Sequence, residues 1–360
     1  MTLLTRYLVR ANLFLLFICL LIGTGLYVLT DLFQRLDNFL DASLSFWTIL
    51  WYYFLKTPLI IGQILPAVFL VGIIVQFCLM NKARELIALQ SGGISSFVFF
   101  RFVLLYGVLW AVAQLLLVQV AGIEGEQRAV RLWKEQVQGE KRTESWMRGL
   151  WFVDNAYIVH LGRVNPAAKT GTDFLAYQLT DDDQYLRQMV KAESFSIEGT
   201  TWRLYNATVI TPDNYGYEIR PSMTIPLKQD ISAFVAIDPK TNPKRLAVWD
   251  LRSAIASLEK SGSNVEVLQT TYHSRFAYAA SLVAMGVWGL AIVLWTGSVY
   301  FAVGIGMVSV FLLYALITLF ISLGEKGILP PHVASYFPIA FLFVLGCANL
   351  FWRIRPRWRR

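Results

Sequence analysis

Charged residues are scarce in this 360-residue chain: they make up 16% of it, whereas soluble domains average about 25%. Apolar residues reach 56%. A positive net charge, here +8, is also typical of nucleic-acid-binding proteins. Those proteins need a solvated basic surface, and the long apolar runs leave little room for one. We therefore expect a membrane protein that does not bind nucleic acid.

Cysteine and histidine are equally scarce, with three residues of each. The cysteines lie in apolar runs without the spacing of a disulfide framework, and the histidines have no cysteine or carboxylate at metal-ligand spacing. The G-x-S-x-G and H-E-x-x-H signatures of hydrolases are absent, as is the G-x-x-x-x-G-K-[ST] loop that binds ATP. The sequence thus predicts no enzyme and no metal or cofactor held by this chain. Any ATP-driven work would need a separate ATPase subunit.

Six apolar runs are long enough for membrane-spanning helices, which need about 20 residues to cross the hydrocarbon layer. They cover residues 11–30, 58–80, 97–122, 272–296, 299–323 and 331–353. The first run has no signal-peptidase site after it, so we interpret it as an anchor that is not cleaved. The sequence therefore divides into membrane segments at 1–122 and 272–360, with a polar domain at 123–271 between them.

Basic residues are concentrated on one side of these spans. If the N-terminus is cytoplasmic, the short cytoplasmic segments hold ten Lys and Arg against one Glu, and the short outer segments hold three basic residues against four acidic ones. Cytoplasmic loops carry an excess of Lys and Arg, and this excess sets the orientation. We expect both termini in the cytoplasm and the polar domain on the outer side of the membrane.

The polar region has the pattern of short strands from about residue 150. Its apolar runs are separated by turn residues such as Asp154-Asn155 and Asn165-Pro166. The runs lie at 150–153, 157–161, 174–179, 191–197, 201–210 and 217–226. This spacing favours an all-β sandwich or jelly roll, and a helical return segment is expected at about 251–260. The predicted fold is an α-helical integral membrane protein with six transmembrane helices and a jelly-roll-like β domain between helices 3 and 4.

The segment between the second and third spans, at about 82–93, has the pattern of a short amphipathic helix. One interpretation is a simple connector that lies at the membrane surface. The other is a coupling helix that docks into a cytoplasmic partner, with Arg84 and Glu85 pairing across the contact. The candidate coupling residues are Arg84, Glu85, Leu86, Ile87, Leu89, Gln90 and Gly92.

Short motifs follow one another along the chain in a recognisable order. They are Arg6-Tyr7-Leu8, Pro58 with Pro66, Glu85-Leu86 followed by Gly92, Gly125-Glu126-Gln127, Gly149-Leu150-Trp151 and Leu329-Pro330-Pro331. With these motifs and its pattern of spans, the whole chain resembles the LptF/LptG permeases of the lipopolysaccharide-export ABC transporter. Gly149-Leu150-Trp151 favours the LptG half. Val28 stands where LptG-type sequences can carry a lysine.

The resemblance implies a permease subunit in the inner membrane of a Gram-negative bacterium, with the β domain in the periplasm. Such a subunit extracts lipopolysaccharide from the inner membrane and passes it to a periplasmic bridge toward the outer membrane. The implied partners are an LptF-like homologous permease, an LptB-type ATPase dimer, and the jelly-roll proteins LptC and LptA. ATP and magnesium would bind to the ATPase, and this chain would hold no cofactor.

A lipopolysaccharide receptor needs cations at its outer mouth, because the lipid carries anionic phosphates above its acyl chains. The candidate lipid-binding residues are Asp31, Arg35, Arg128, Arg131, Arg275 and Lys326. Asp31 and Asp37 are candidate partners of Arg35. Arg275 borders apolar sequence, where a charge is costly unless it is paired or used. For each cation the alternative is an extended side chain that only reaches the lipid headgroups.

The residues alone also allow two other functions. One is a permease for a different anionic lipid. The other is a membrane scaffold that transports nothing and docks partners through its outer domain.

Overall fold

The computed structural model describes residues 3–137, 147–154, 157–165, 168–180, 185–198, 201–212, 216–227, 243–259, 265–296 and 298–354. The chain divides into two compact units, one formed by Met1–Gly139 with Thr270–Arg360 and the other by Glu140–Gln269. The basic tail at 355–360, which contributes to the predicted orientation, lies outside the described residues.

Helices account for most of the described residues of the first unit. They are α1 (Leu3–Asp41), α2 (Phe46–Lys82), α3 (Glu85–Ser91), α4 (Ser96–Leu117), α5 (Ile123–Leu132), α7 (Glu266–Thr296), α8 (Val299–Glu325) and α9 (Pro331–Ile354). A π-helical turn at Val118–Gly122 joins α4 to α5, and a second one follows at Trp133–Val137. Six helices are long and apolar enough to cross a membrane, and all six predicted runs lie within them. The six-span prediction is confirmed.

Helix α2 packs closely against the helical segment that continues from α4. A Cβ atom placed on Gly125 would lie 2.1 Å from the carbonyl oxygen of Leu55, and one placed on Gly62 would lie 2.2 Å from a methyl carbon of Val118. Both distances are far below van der Waals contact, so the absence of a side chain permits this approach of the two helices.

Pro66 interrupts the hydrogen bonding of α2, and neighbouring helices compensate for the loss. Proline has no N–H group, so the carbonyl of Gly62, four residues earlier, has no backbone donor at that position. The side-chain amide of Gln114 in α4 donates to that oxygen at 2.6 Å. Tyrosine hydroxyls from α7 and α8 donate to the next carbonyl, that of Gln63, and the bond from Tyr314 is 3.2 Å long. Span 2 is therefore joined to spans 3, 4 and 5 by polar contacts around its proline.

Helix α1 is the least enclosed of the spans. Only 6% of its most apolar stretch is buried, against 72% for α7. One polar contact fixes it to α2 in its first half: the Asn12 side-chain amide donates to Gln76 at 2.8 Å, and Gln76 donates to the carbonyl of Leu8 at 2.9 Å. Between residues 13 and 36, most exposed side chains of α1 are large and apolar, among them Phe14, Phe17 and Leu21, and this surface requires lipid or another protein around it.

The second unit contains one antiparallel sheet among its described residues. The strands are β1 (Met147–Asp154), β2 (Tyr157–Asn165), β3 (Thr170–Leu179), β4 (Leu186–Glu198), β5 (Thr201–Thr211) and β6 (Gly216–Pro226), and they pair in sequence order. All six predicted runs fall within these strands, so the inserted β domain is confirmed. A jelly roll arranges its strands in two facing sheets. That topology stays a prediction.

Aromatic packing forms the core of this sheet. Trp202 is fully buried, and its ring stacks on Phe195 of β4 at a centroid distance of 5.5 Å and packs against Phe174 of β3 at 6.1 Å. Side chains alternate between the two faces of a strand, so Trp202 and Leu204 enter the same core. A short 3₁₀ turn at Pro243–Arg245 precedes the return helix α6 (Val248–Glu259).

Candidate functional site

The segment proposed for coupling forms a helix–turn–helix connection between α2 and α4. Arg84 adopts a left-handed backbone conformation with φ of 58°, which ends α2 and starts α3. Gly93 has φ of 88° and ends α3, as such a conformation favours glycine. The hydroxyl of Ser95 then accepts a hydrogen bond from the backbone N–H of Phe97 and caps α4. Helix α3 is held at both ends by defined turns.

One side of α3 is anchored in the bundle and the other is exposed. Leu86 is buried in the core cluster that includes Phe77 and Phe99, and Leu89 packs against that cluster. Ile87 is 58% exposed. Arg84, Gln90 and Gly92 are also exposed, and Gln90 donates to the hydroxyl of Ser96 at 3.1 Å.

Glu85 connects α3 to the first span. Its carboxylate accepts a hydrogen bond of 2.9 Å from the hydroxyl of Tyr7, a residue 78 positions earlier in α1. Tyr7 and Glu85 also line a groove of about 440 Å³, together with Gln76, Leu79 and Lys82. Glu85 thus touches the bundle while it stands at the edge of an open groove.

Opposite charges meet at the far end of α1 and α2, away from α3. Asp31 accepts from Arg35 Nε through one carboxylate oxygen at 3.2 Å. Its other oxygen accepts from Lys56 Nζ at 3.0 Å and from the hydroxyl of Tyr53 at 3.1 Å. We call these four residues the Asp31 cluster. One carboxylate therefore receives three donors, two of which are cations.

Aromatic rings lie beside both cations of the Asp31 cluster. The guanidinium carbon of Arg35 is 4.7 Å from the ring centroid of Trp133, and Lys56 Nζ is 5.6 Å from that of Tyr52. Both distances are within the range of cation–π attraction. Phe39 packs edge-to-face on Tyr52 and Trp133, so the two rings are themselves fixed in place.

The other predicted lipid-binding cations lie on α5, on α7 and at the end of α8. Arg128 forms an ion pair with Glu124 one turn earlier in α5, and both side chains are largely exposed. Arg131 is exposed in the last turn of α5. Arg275 is partly buried within α7, and Lys326 is exposed at the C-terminal end of α8. No group of three His, Cys, Asp or Glu able to hold a metal is found in the part of the chain that the structure describes.

Residues 6–355 match the family described as the lipopolysaccharide export system permease LptF/LptG. The chain belongs to this family. The resemblance seen in the sequence is thereby confirmed, while the preference for LptG over LptF stays a prediction. A comparison with curated proteins finds no match.

Membership fixes the general role of the molecule. Members are permeases of lipopolysaccharide export and work with the other components of that machinery, so this chain is a transport protein and not a catalyst. With six candidate spanning helices, it is a multi-pass protein of the inner membrane.

Two contacts of this permease were missed from the sequence. Lys56 is one of the three basic residues of the short outer segments. A lysine that enters an apolar helix needs a partner, and that rule is the signal by which its contact with Asp31 could be found. Tyr7 belongs to the Arg6-Tyr7-Leu8 motif, and its contact with Glu85 depends on the packing of α1 beside α3. The expected pairing of Asp31 with Arg35 is present, and Asp37 is exposed.

Proposed function

We propose that this chain is the LptG-like half of an ATP-driven lipopolysaccharide exporter. Its partners are an LptF-like permease, an LptB-type ATPase dimer that binds ATP and magnesium, and the periplasmic proteins LptC and LptA. The complex extracts lipopolysaccharide from the inner membrane and delivers it to a periplasmic bridge toward the outer membrane. Family membership supports the choice of lipid. The single structural observation that supports coupling to an ATPase is the geometry of α3.

Helix α3 has the features expected of a docking element. It is short, it exposes Ile87 and Arg84 to a partner, and its opposite side is fixed in the bundle by Leu86. A flexible connector at the membrane surface needs no such anchor. A partner that moves α3 therefore moves the bundle as well.

Two contacts carry this movement into the spans. Leu86 transmits it to the core around α2 and α4, and the bond between Glu85 and Tyr7 transmits it to α1. Because α1 is poorly enclosed, it resists displacement less than the other spans. ATP-driven closure of the ATPase dimer would shift α1 and collapse the lipid cavity.

The charge distribution supports the orientation of the complex. The short segments on the side of α3 carry most of the excess of Lys and Arg, which supports a cytoplasmic position for both termini and α3. The Asp31 cluster then lies at the periplasmic end of the spans, and the β domain lies in the periplasm of a Gram-negative cell. Arg128, Arg131, Arg275 and Lys326 remain further candidates for contact with the lipid phosphates.

Charge reversal at Glu85 tests the coupling. We expect Glu85→Lys to leave ATP hydrolysis by the assembled complex in place and to reduce lipopolysaccharide release about tenfold or more, a change of about 1.4 kcal/mol. The substitution removes the acceptor of the Tyr7 hydroxyl and adds a second cation to the groove that Lys82 lines. Release from proteoliposomes and hydrolysis are measured on the same preparation.

Glu85→Gln is the matched control, because an amide oxygen can still accept from Tyr7. Wild-type release by Glu85→Lys in a normally assembled complex would remove the coupling role from α3. Purification with native partners tests the rest: a second six-span homologue and an ATPase pair are expected. Recovery without an ATPase would favour a scaffold, and photocrosslinking to a different anionic lipid would reassign the substrate.

A further inference from the structure

The groove beside Glu85 changes from polar to apolar along its length. Its polar lining lies at the end of the spans that carries α3, and its apolar lining follows further along α1 and α2. The polar residues include Tyr7, Lys82 and Glu85, and the apolar ones include Ala11, Leu15 and Leu79. We call this feature the Lys82 groove. Its layout matches an amphipathic molecule whose headgroup lies at the α3 end.

The Lys82 groove has the length of one membrane leaflet. Tyr7 and Leu15 belong to the same helix, and the distance between them is about 12 Å along its axis. The hydrocarbon layer is about 30 Å thick, so each leaflet contributes about 15 Å of it. Gln76 also lines the groove, but its side chain is already bonded to Asn12 and to the carbonyl of Leu8. An acyl chain from the leaflet on the side of α3 therefore fits along the groove.

Two opposite charges stand at the polar end of the Lys82 groove. Lys82 is exposed and has no hydrogen bond or ion pair among the described residues. Glu85 accepts from the Tyr7 hydroxyl through Oε2, and within the described part of the chain no group donates to its Oε1. The bond from Tyr7 holds the carboxylate in place, so Oε1 is a preorganised acceptor. This end of the groove offers one position for an anion and one for a cation that donates hydrogen bonds.

We propose that the Lys82 groove binds a phospholipid with a primary ammonium headgroup from the leaflet on the side of α3. Its phosphate accepts from Lys82 Nζ, its ammonium group donates to Glu85 Oε1, and one acyl chain lies along Leu15 and Leu79. Both headgroup contacts are charge-assisted hydrogen bonds, which are stronger than neutral ones. This phospholipid stays with the permease and is distinct from the transported lipid, so the inference goes beyond the proposed function.

Binding of defined phospholipids to the full-length protein in a neutral detergent tests this site, with affinities measured by native mass spectrometry. The probes are phosphatidylethanolamine, phosphatidylcholine and phosphatidylglycerol with identical acyl chains. The quaternary ammonium group of phosphatidylcholine has no N–H to donate, and phosphatidylglycerol has no cation. We expect phosphatidylethanolamine to bind about tenfold more tightly than phosphatidylcholine, which corresponds to about 1.4 kcal/mol. That factor is the size expected of one hydrogen bond to a charged group.

Three substitutions separate the parts of the groove. Glu85→Gln keeps an oxygen that can accept from Tyr7 but loses the charge, so most of the advantage of phosphatidylethanolamine over phosphatidylcholine should disappear. Lys82→Gln should weaken both lipids by a similar factor, because both carry the phosphate. Ala11→Phe places a ring in the groove and should weaken both lipids whatever their headgroup. Arg101→Gln, at an exposed cation of α4 outside the groove, is the matched control for Lys82→Gln and should leave binding unchanged.

Equal affinities of the wild-type protein for phosphatidylethanolamine and phosphatidylcholine would overturn the proposed headgroup contacts, and this comparison needs no variant. Tightest binding of phosphatidylglycerol would make the groove an anion site instead. Unchanged binding by Ala11→Phe would place the lipid elsewhere on the spans. These measurements involve neither ATP hydrolysis nor lipopolysaccharide, so the Lys82 groove can fail its test while the proposed export function stands, and the reverse also holds.

Discussion

Replacing Gly125 by alanine tests the contact between α5 and α2. The new methyl carbon would lie 2.1 Å from the carbonyl oxygen of Leu55, which is a backbone atom and cannot rotate away. Ordinary contact begins at 3.4 Å, so one helix must move by about 1.3 Å. Overpacking costs about 1–3 kcal/mol. A displaced backbone belongs at the upper end of that range, and alanine regains about 1 kcal/mol of helix propensity.

We therefore expect Gly125→Ala to destabilise the protein by about 2 kcal/mol, which is the overpacking cost less the gain in propensity. Gly25→Ala in α1 is the matched control, since no atom lies within 4 Å of its Cβ position. Thermal unfolding of the two variants in the same detergent gives the comparison. Equal melting temperatures for Gly125→Ala and the wild type would refute the close packing of α5 on α2.

Two further substitutions test polar contacts between helices. Gln114→Leu leaves the carbonyl of Gly62 without its side-chain donor, and we expect it to lower the free energy of unfolding by about 1–3 kcal/mol, measured by thermal unfolding. The control is Gln90→Leu on the exposed side of α3, which should change that free energy by no more than about 0.5 kcal/mol. Tyr7→Phe removes only the hydroxyl bonded to Glu85, and we expect it to lower the amount of lipopolysaccharide released per ATP hydrolysed without preventing assembly. If this amount stayed at the wild-type level, α1 would not be linked to α3 through this bond.

Spans and strands were predictable from the sequence because their signals are local. A run of about 20 apolar residues must cross a bilayer as a helix, since no other single segment satisfies its own backbone there. The strands followed from alternation and turn residues, and β5 illustrates this with Trp202 and Leu204 buried two positions apart. The π-helical turn at Val118–Gly122 was not predictable, because nothing in its composition distinguishes it from the α-helix before it.

The contacts of the candidate sites depend on tertiary packing and were only partly predictable. Asp31 and Arg35 are one helical turn apart, so their pairing could be expected from spacing. Lys56 belongs to another helix, and its distance from Asp31 depends on how α1 and α2 rotate and cross. Gln114 and Gly62 are likewise 52 residues apart. The sequence shows which polar residues lie in apolar helices and so need partners, but the packing of the helices decides which residues those partners are.

Pro66 of α2 has a consequence for the order in which this protein is built. Gly62 receives its donor from α4, which is synthesised soon afterwards, but Gln63 accepts from Tyr314, 251 residues further along the chain. A carbonyl in the membrane interior without a donor is unfavourable, because lipid offers no replacement. Span 2 therefore enters the bilayer with the carbonyl of Gly62 short of a donor until α4 is in place. The two hydroxyls that reach Gln63 arrive only with α7 and α8, which are made after the whole β domain.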